Sequence, residues 1–276
     1  MVGTRKDYPE NAVEAARSVL LELAHLVGSY GDGIVVVGGW VPELLLSSEE
    51  SPHVGSIDVD LALDHRVLQE PRYRSLLAIL SESGYRQSDK QPFIFYRSVK
   101  VGEQEIIVQV DFLAGEYAGT GKGHRTQEFE DMRARKARGC DLVFEMNVEV
   151  EFQGTLPGGG KDQAVIRVAS VVPFIVMKGM ALADRLKEKD AWDLYYCLRH
   201  FPGGVEALSE MIRPYIGHGL VREGSEKIAE KFASPEHVGP KFVADFEEIT
   251  DPEERELIQR DAFERVGYLL RTLELK

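Results

Sequence analysis

The sequence predicts an α+β protein: an N-terminal domain with a mixed β-sheet flanked by helices over residues 1–169, then a C-terminal helical domain over 170–276. Three observations predict it. Short apolar, β-branched runs alternate with segments of helical spacing as far as Ala169. Beyond that point strand patterns vanish and helical patterns run to the end. The 276 residues, 43% of them hydrophobic, suffice for a real core in one large domain or two smaller ones.

Each element follows from its pattern. Val13, Ala16, Val19, Leu20, Leu23, Leu26 and Val27 recur at helical spacing, so a helix is expected from Asn11 to Tyr30, stopped by Gly31 and Gly33. Ile34–Val37 reads as a buried strand ended by Gly38-Gly39. A helix follows over Trp40–Ser47, with Pro42 tolerated in its first turn. Ser47–Gly55 is a polar loop, Ile57–Leu63 a strand and Leu68–Ser83 a helix. Pro92–Val99 and Glu105–Leu113 read as antiparallel neighbours joined through Lys100–Gln104. Gly115–Gly123 reads as a loop, and Glu149–Phe152 and Ala164–Val168 as strands flanking the Gly158–Gly160 turn. Helices are expected over Pro173–Lys187, over Asp190–His200 and in several stretches through Leu275.

The composition narrows the class. Cys140 and Cys197, the only two cysteines, belong to no ligand-like cluster, which argues against a disulfide framework or zinc ribbon and for a reducing compartment. No signal-like apolar stretch opens the chain, and no run approaches the roughly 20 apolar residues of a membrane span. The expectation is a cytoplasmic protein with no membrane contact. The formal net charge of −13 repels phosphate-rich partners at long range, so any nucleotide or RNA site must be a local basic or metal-filled pocket.

Three constellations carry chemistry. First, Gly38-Gly39 ends a buried strand, where a backbone without Cβ can lie close to a phosphate. Ser56-Ile57-Asp58-Val59-Asp60 then sets Asp58 and Asp60 on one face of a strand. Two adjacent carboxylates repel each other unless a cation sits between them, and hard oxygens favour Mg²⁺ or Mn²⁺; an Asp-x-Asp pair also arises by chance in acidic chains. Second, the apolar strand Glu105–Leu113 carries one late carboxylate, Asp111, which completes the set a two-metal site needs. Third, Lys178 and Arg185 share a helix face among apolar neighbours. Either Lys178 is aimed at a triphosphate or its ammonium snorkels to water. Asp190 and Asp193 share the next helix face, where they either orient Lys189 and Arg185 or favour the helix dipole.

In this order the constellations resemble the DNA polymerase β-like nucleotidyltransferase superfamily. The stretch Lys178–Leu194 is similar to the Lys-x-x-Ala-x-x-x-Arg, Lys-Asp-x-x-Asp-Leu pattern of the AbiEii/AbiGii-type nucleotidyltransferases, among them toxins of toxin–antitoxin systems. The resemblance covers roughly residues 33–200 and implies that 1–169 is the nucleotidyltransferase catalytic domain. It implies Asp58, Asp60 and Asp111 as catalytic metal ligands, and Gly38, Gly39, Ser56, Lys178, Arg185 and Asp193 as nucleotide-associated residues. Mg²⁺ (or Mn²⁺) is the implied cofactor and an NTP the implied substrate. A tRNA or other RNA, a protein or a small molecule is the implied acceptor, and a cognate antitoxin the implied partner. Two positions depart from the pattern: Trp40 stands where Ser or Thr often follows the glycines, and Gly55 stands where Arg often precedes the first Asp by three residues.

Other readings stay open. The chain is an enzyme, or a non-catalytic nucleotide-sensing or partner-binding module that keeps the fold. The basic segment Lys122–Arg138 either holds an RNA backbone or is a solvated helix or loop. Gly119–Arg125 lacks the phosphate-loop spacing. The seven histidines, His53 among them, show no ligand spacing.

Overall fold

The computed structural model describes residues 3–68, 75–116, 126–129 and 132–275. The chain forms two compact units that are not continuous in sequence: Tyr8–Leu44 with Gly55–Ser170, and Met1–Asp7 with Leu45–Val54 and Val171–Lys276.

The first unit is built on a mixed sheet. Its strands are β1 (Ile34–Val37), β2 (Asp58–Leu63), β3 (Arg86–Gln87), β4 (Ile94–Val101), β5 (Gln104–Ala114), β6 (Thr126–Phe129), β7 (Met132–Lys136), β8 (Asn147–Thr155) and β9 (Lys161–Ala169). The order is β3-β4-β5-β2-β1-β9-β8, with β7 pairing the end of β5 and β6 pairing β7. β2 runs antiparallel to β1 but parallel to β5, and β4 and β5 are the expected antiparallel pair. Gly102, at φ +62, makes the tight connection between them.

Helix α1 (Glu10–Val27) buries Ala15, Ala16, Val19, Leu20, Leu23 and Val27. At roughly 1.5–3 kcal/mol for each fully buried large aliphatic side chain, this stripe drives its docking. Glu22 fixes the face it covers by taking a two-pronged bond from Arg97, at 2.8 Å on each prong. Arg97 lies opposite Val108 on β5, so α1 sits on the face of Val108, Val110, Val59, Leu61 and Phe95, all fully buried. Strand alternation sends Asp58, Asp60, Gln109 and Asp111 to the other face.

The second unit is helical apart from its loops. α5 (Val171–Arg185) packs on α6 (Glu188–His200) and α8 (Gly219–Lys231). α9 (Val238–Phe246) and α10 (Pro252–Thr272) close on α6, with α7 (Gly204–Ile212) against α10. Gly179 on α5 has no room for a side chain against the Gly224 carbonyl, so the two helices cross at backbone distance. Among the described residues no helix is long and apolar enough to cross a membrane.

Several expectations need correction. The first helix ends at Val27, and Gly28–Gly33 continues as a 3₁₀ stretch broken at Gly31 (φ 53). The single helix expected over Leu68–Ser83 is two, α3 (His65–Leu68) and α4 (Leu76–Glu82). The second begins at Ser75, whose hydroxyl accepts from the Ala78 N–H at 3.0 Å; 69–74 lie outside the described residues. The Lys122–Arg138 segment, read as helix or loop, supplies β6 and β7. Its charges hid the period-2 signal of buried Met132 and Ala134 alternating with Arg133 and Arg135. The remainder of that segment, with Gly119–Arg125 and most of the Gly115–Gly123 loop, lies outside the described residues. β8 and β9 run four or more residues longer than expected, because Glu149, Glu151 and Arg167 sit on a solvated face.

Candidate active site

The carboxylates meet through strand register. Asp60 on β2 lies directly opposite Asp111 on β5, and Asp58 lies opposite Gln109. In-register partners share a face, so Asp58, Asp60 and Asp111 stand together on the side away from α1. Asp111 is buried at 7% exposure, while Asp58 and Asp60 are half-buried.

The neighbouring residues fix this group. Ser56 donates its hydroxyl to Asp58 Oδ1 at 2.5 Å, and the Gln109 amide donates to Asp111 Oδ2 at 2.7 Å. Both are i, i+2 pairs, which puts donor and acceptor on one side of an extended chain. Gly38 turns at φ +71 after β1, opposite the start of β2, and a Cβ there would overlap the Asp60 carboxylate. The glycine therefore leaves the Asp60 carboxylate its space. Gly39 follows it directly into α2 (Trp40–Leu46). Trp40 is buried and donates its indole N–H to the Asp58 carbonyl at 2.7 Å. Gly55, at φ +74, packs its α-carbon against Val13 of α1 so closely that no side chain fits. Among the described residues, no group of three His, Cys, Asp or Glu side chains is drawn together as a metal ligand set.

The other predicted residues lie in the helical unit and form a buried ionic cluster. The Lys178 ammonium sits 2.8 Å from Asp190 Oδ1 and 2.7 Å from Asp193 Oδ2. Lys189 reaches both oxygens of Asp193, at 2.9 and 3.2 Å. Arg185 grips Asp190 with two bonds of 2.7 and 2.8 Å and keeps half its side chain exposed. Lys178 therefore does not snorkel; its charge is matched inside the protein. Asp190 and Asp193 hold these cations, and Asp190 also lies in the first turn of α6, where its charge favours the helix dipole.

His53 completes the cluster. Its Nε2 lies 3.0 Å from Asp193 Oδ1, and its ring lies tilted against Trp192 and edge-on to Tyr196. The loop that carries it is tied down by Tyr196, whose hydroxyl donates to the Ser51 carbonyl at 2.7 Å. Burial, the largest effect, pushes the imidazole pKa down; the Asp193 hydrogen bond opposes it, and the result is lowered to about 4. The neutral ring carries its proton on Nε2, because a carboxylate can only accept. Burial pushes the Asp190 carboxyl up, but Lys178 and Arg185 overcome it and hold it at about 2. Burial likewise opposes the charge on Lys178, yet the two aspartates raise its pKa above the usual lysine range. Three cations face two carboxylates, so the cluster keeps one excess positive charge.

Sequence reasoning missed Gln109 and His53 as members of these groups, and it named Lys189 only as a cation that Asp190 and Asp193 could orient. Gln109 was readable from its i, i+2 spacing to Asp111. His53 was not, since 140 residues separate it from Asp193.

The profile of one family, described as the nucleotidyl transferase AbiEii toxin of type IV toxin–antitoxin systems, matches residues 50–266. The chain belongs to this family. The match spans Asp58, Asp60, Asp111 and the whole ionic cluster on α5 and α6. An AbiEii-family chain is by that description a nucleotidyl transferase with an antitoxin counterpart. Comparison with curated proteins gives no match. A solved structure, the crystal structure of JHP933 from Helicobacter pylori, aligns over 96% of this chain and 94% of its own at 14% identity, with a TM-score of 0.43. That likeness is too low to carry residue roles across.

Proposed function

We propose that this AbiEii-family chain moves a nucleoside monophosphate from an NTP to a hydroxyl acceptor, with Asp58, Asp60 and Asp111 as its catalytic carboxylates. The observation that carries this reading is the register that sets Asp60 against Asp111, with Asp58 on the same face. The donor set suits Mg²⁺ or Mn²⁺, since all three ligands are hard carboxylate oxygens. Asp58, Asp60 and Asp111 would hold the metal. When bound, the metal neutralises charge on the transferring phosphate.

The chain's own residues do the rest. Ser56 and Gln109 orient Asp58 and Asp111, and Asp111 takes the proton of the incoming hydroxyl. Gly38 leaves Asp60 its space, and the backbone of Gly38-Gly39 faces the donor phosphates. In the helical unit, Lys178 and Asp193 form the buried frame that holds Asp190, and Asp190 in turn aims Arg185. Arg185 is the outward cation of that cluster, with half its side chain exposed.

The test is incubation of the protein with Mg²⁺, each α-³²P-labelled NTP and total tRNA, comparing wild type with Asp58→Ala. Label on tRNA that the variant fails to add supports the reading and names acceptor and base. Label on a protein or small molecule keeps the transferase and changes the acceptor. A second reading is a non-catalytic nucleotide-sensing or partner-binding module that keeps the fold. Failure to transfer label, together with failure to bind Mn²⁺ or NTP, selects it. If the chain acts as the toxin of its pair in the cytoplasm, its expression alone slows growth and Asp58→Ala relieves the effect.

A further inference from the structure

We infer that the outer edge of β8 docks an extended, basic segment of a partner protein, laid antiparallel and bonded backbone to backbone, with cations set against Glu149 and Glu151. This concerns the first unit alone and does not depend on the transferase reading.

The ladder leaves this edge unpaired. β8 is the last strand in the sheet order, with β9 on its inner side. Its register is regular, from Asn147 opposite Ala169 to Thr155 opposite Lys161. In an antiparallel pair only alternate residues exchange bonds with the strand beside them. Two bonds just beyond the ladder fix which ones do. The Leu156 N–H donates to the Gly160 carbonyl at 2.7 Å, and the Ser170 N–H to the Met146 carbonyl at 2.9 Å. The even-numbered residues of β8 therefore bond to β9, and Asn147, Glu149, Glu151, Gln153 and Thr155 turn their N–H and C=O groups outward. An independent bond agrees: the Gln153 carbonyl accepts from Arg17 Nη2 of α1 at 3.2 Å, from outside the ladder. Glu149 and Glu151 lack such cover. Among the described residues no backbone bond takes their outward groups.

The side chains say what fits. Glu149, Glu151 and Gln153 are exposed on one face. Val148 and Val150 share the other face with Gly154, which meets Leu21 of α1. Val148 is still 42% exposed, so the cover of α1 stops short of this stretch of the edge. Glu149 reaches Arg167 only at 3.5 Å. Among the described residues Glu151 has no ion pair; its cross-strand neighbour is Val165, 58% exposed. The edge thus alternates valine and glutamate, with open backbone at each glutamate. Its complement alternates apolar residues with lysine or arginine. Each cation then lies directly opposite a glutamate, and each apolar side chain lies beside Val148 or Val150.

A second copy of this chain does not meet these terms. Two β8 strands laid antiparallel and centred on this stretch set glutamate against glutamate, which is repulsive. Sliding them past one another calls on the Gln153 carbonyl that Arg17 already holds. Lysine, proline and a bulge, the common guards of a free edge, are missing from Asn147–Thr155. Its charges are the two glutamates, which repel copies of the same acidic chain and attract a cationic strand.

The test uses the whole chain and two fluorescein-labelled peptides: Thr-Val-Lys-Val-Lys-Val-Thr, and the same peptide N-methylated at both lysine amides. The methyl groups keep the charge and remove the backbone donors that would face Glu149 and Glu151. Anisotropy at low salt reads binding, and hydrogen exchange of the fragment covering 147–155 reads its place. The first peptide should bind and slow exchange in that fragment. N-methylation should weaken binding about tenfold or more, the effect of losing two net backbone hydrogen bonds. Glu151→Pro removes an outward N–H and no bond to β9, so it should weaken binding similarly while the circular dichroism stays that of wild type. Glu149→Lys combined with Glu151→Lys should reject this peptide and accept the one with glutamate in place of lysine. The inference is overturned if the first peptide fails to bind below about 1 mM, or if the N-methylated peptide binds equally, which would mean adhesion of a cation to an acidic surface. Binding without protection of 147–155 overturns it as well. So does a concentration-dependent dimer that Glu151→Pro abolishes, since the occupant would then be a second copy.

Discussion

Acidification should destabilise the helical unit through one residue, His53. Its side chain is fully buried, with Asp193, Lys189 and Lys178 around Nε2 and aromatic rings of Trp192 and Tyr196 beside it. The native pKa is lowered to about 4 from the usual 6.5. The unfolded chain therefore binds a proton in the window between those values while the native state does not. Stability is complete above about pH 6.5 and falls as pH drops toward 4. Linkage puts the loss at about 2 kcal/mol by pH 5 and about 3 kcal/mol by pH 4, good to roughly 1 kcal/mol. Urea unfolding, followed by circular dichroism from pH 8 to pH 4.5, measures it in wild type and His53→Gln. Glutamine keeps a donor for Asp193 and removes the titration. Other groups contribute to both proteins, among them His200, whose pKa burial also lowers. The difference between the curves isolates His53. Wild type should lose about 2 kcal/mol more than the variant between pH 7.5 and pH 5. Parallel curves would show that His53 is charged or solvated in the folded protein and would refute the buried, neutral assignment.

Gly38→Ala places a methyl on the Asp60 carboxylate at a positive φ and should cost about 1–3 kcal/mol as well as transfer activity; thermal melting and the label assay read the two effects. Trp40→Phe keeps the buried ring but strands the Asp58 carbonyl, costing about 1–3 kcal/mol in melting and lowering kcat with little change in the KM for NTP. Lys178→Met leaves Asp190 and Asp193 short of a partner and should cost about 3–5 kcal/mol, more than Lys189→Met, which takes a cation from Asp193 but leaves the Asp190 ion pairs in place; a larger effect at Lys189 would contradict the bridging geometry.

What the sequence disclosed follows from how each signal is encoded. Ile34–Val37 matched to the residue because a central strand buried on both faces is written as an unbroken apolar run ended by glycine. The carboxylate group was readable for a related reason: Asp58 and Asp60 are the polar residues of an otherwise apolar strand, and Asp111 is the one carboxylate in the apolar second half of β5. β6 and β7 stayed hidden because a short strand with one wet face is written mostly in charges. The pairing of His53 with Asp193 left no local trace, since a loop and a helix far apart in sequence meet only after folding. Lys178 was flagged by its apolar surroundings, but its partners decided its state. A lysine in such a run is equally compatible with snorkelling until two aspartates are found 2.7 and 2.8 Å from its ammonium.

The two departures from the family pattern have physical counterparts in this fold. Where a hydroxyl residue often follows the glycines, Trp40 is buried and holds the carbonyl of the first aspartate. A serine in its place would gain a hydroxyl near the glycine turn but lose both that bond and the packing of the indole. Where an arginine often precedes the aspartates, Gly55 turns at φ +74 with its α-carbon pressed against Val13. An arginine there would have to adopt a strained backbone and displace α1. The cation at that position is therefore excluded by packing, and the chain has to carry its anion-binding charge on other elements. Arg185, clamped by Asp190 with half its side chain exposed, is an arginine with that capacity. Restoring the family's arginine by Gly55→Arg should thus lower stability without raising NTP affinity. A gain in affinity with an unchanged melting temperature would show that the turn at Gly55 tolerates a side chain after all.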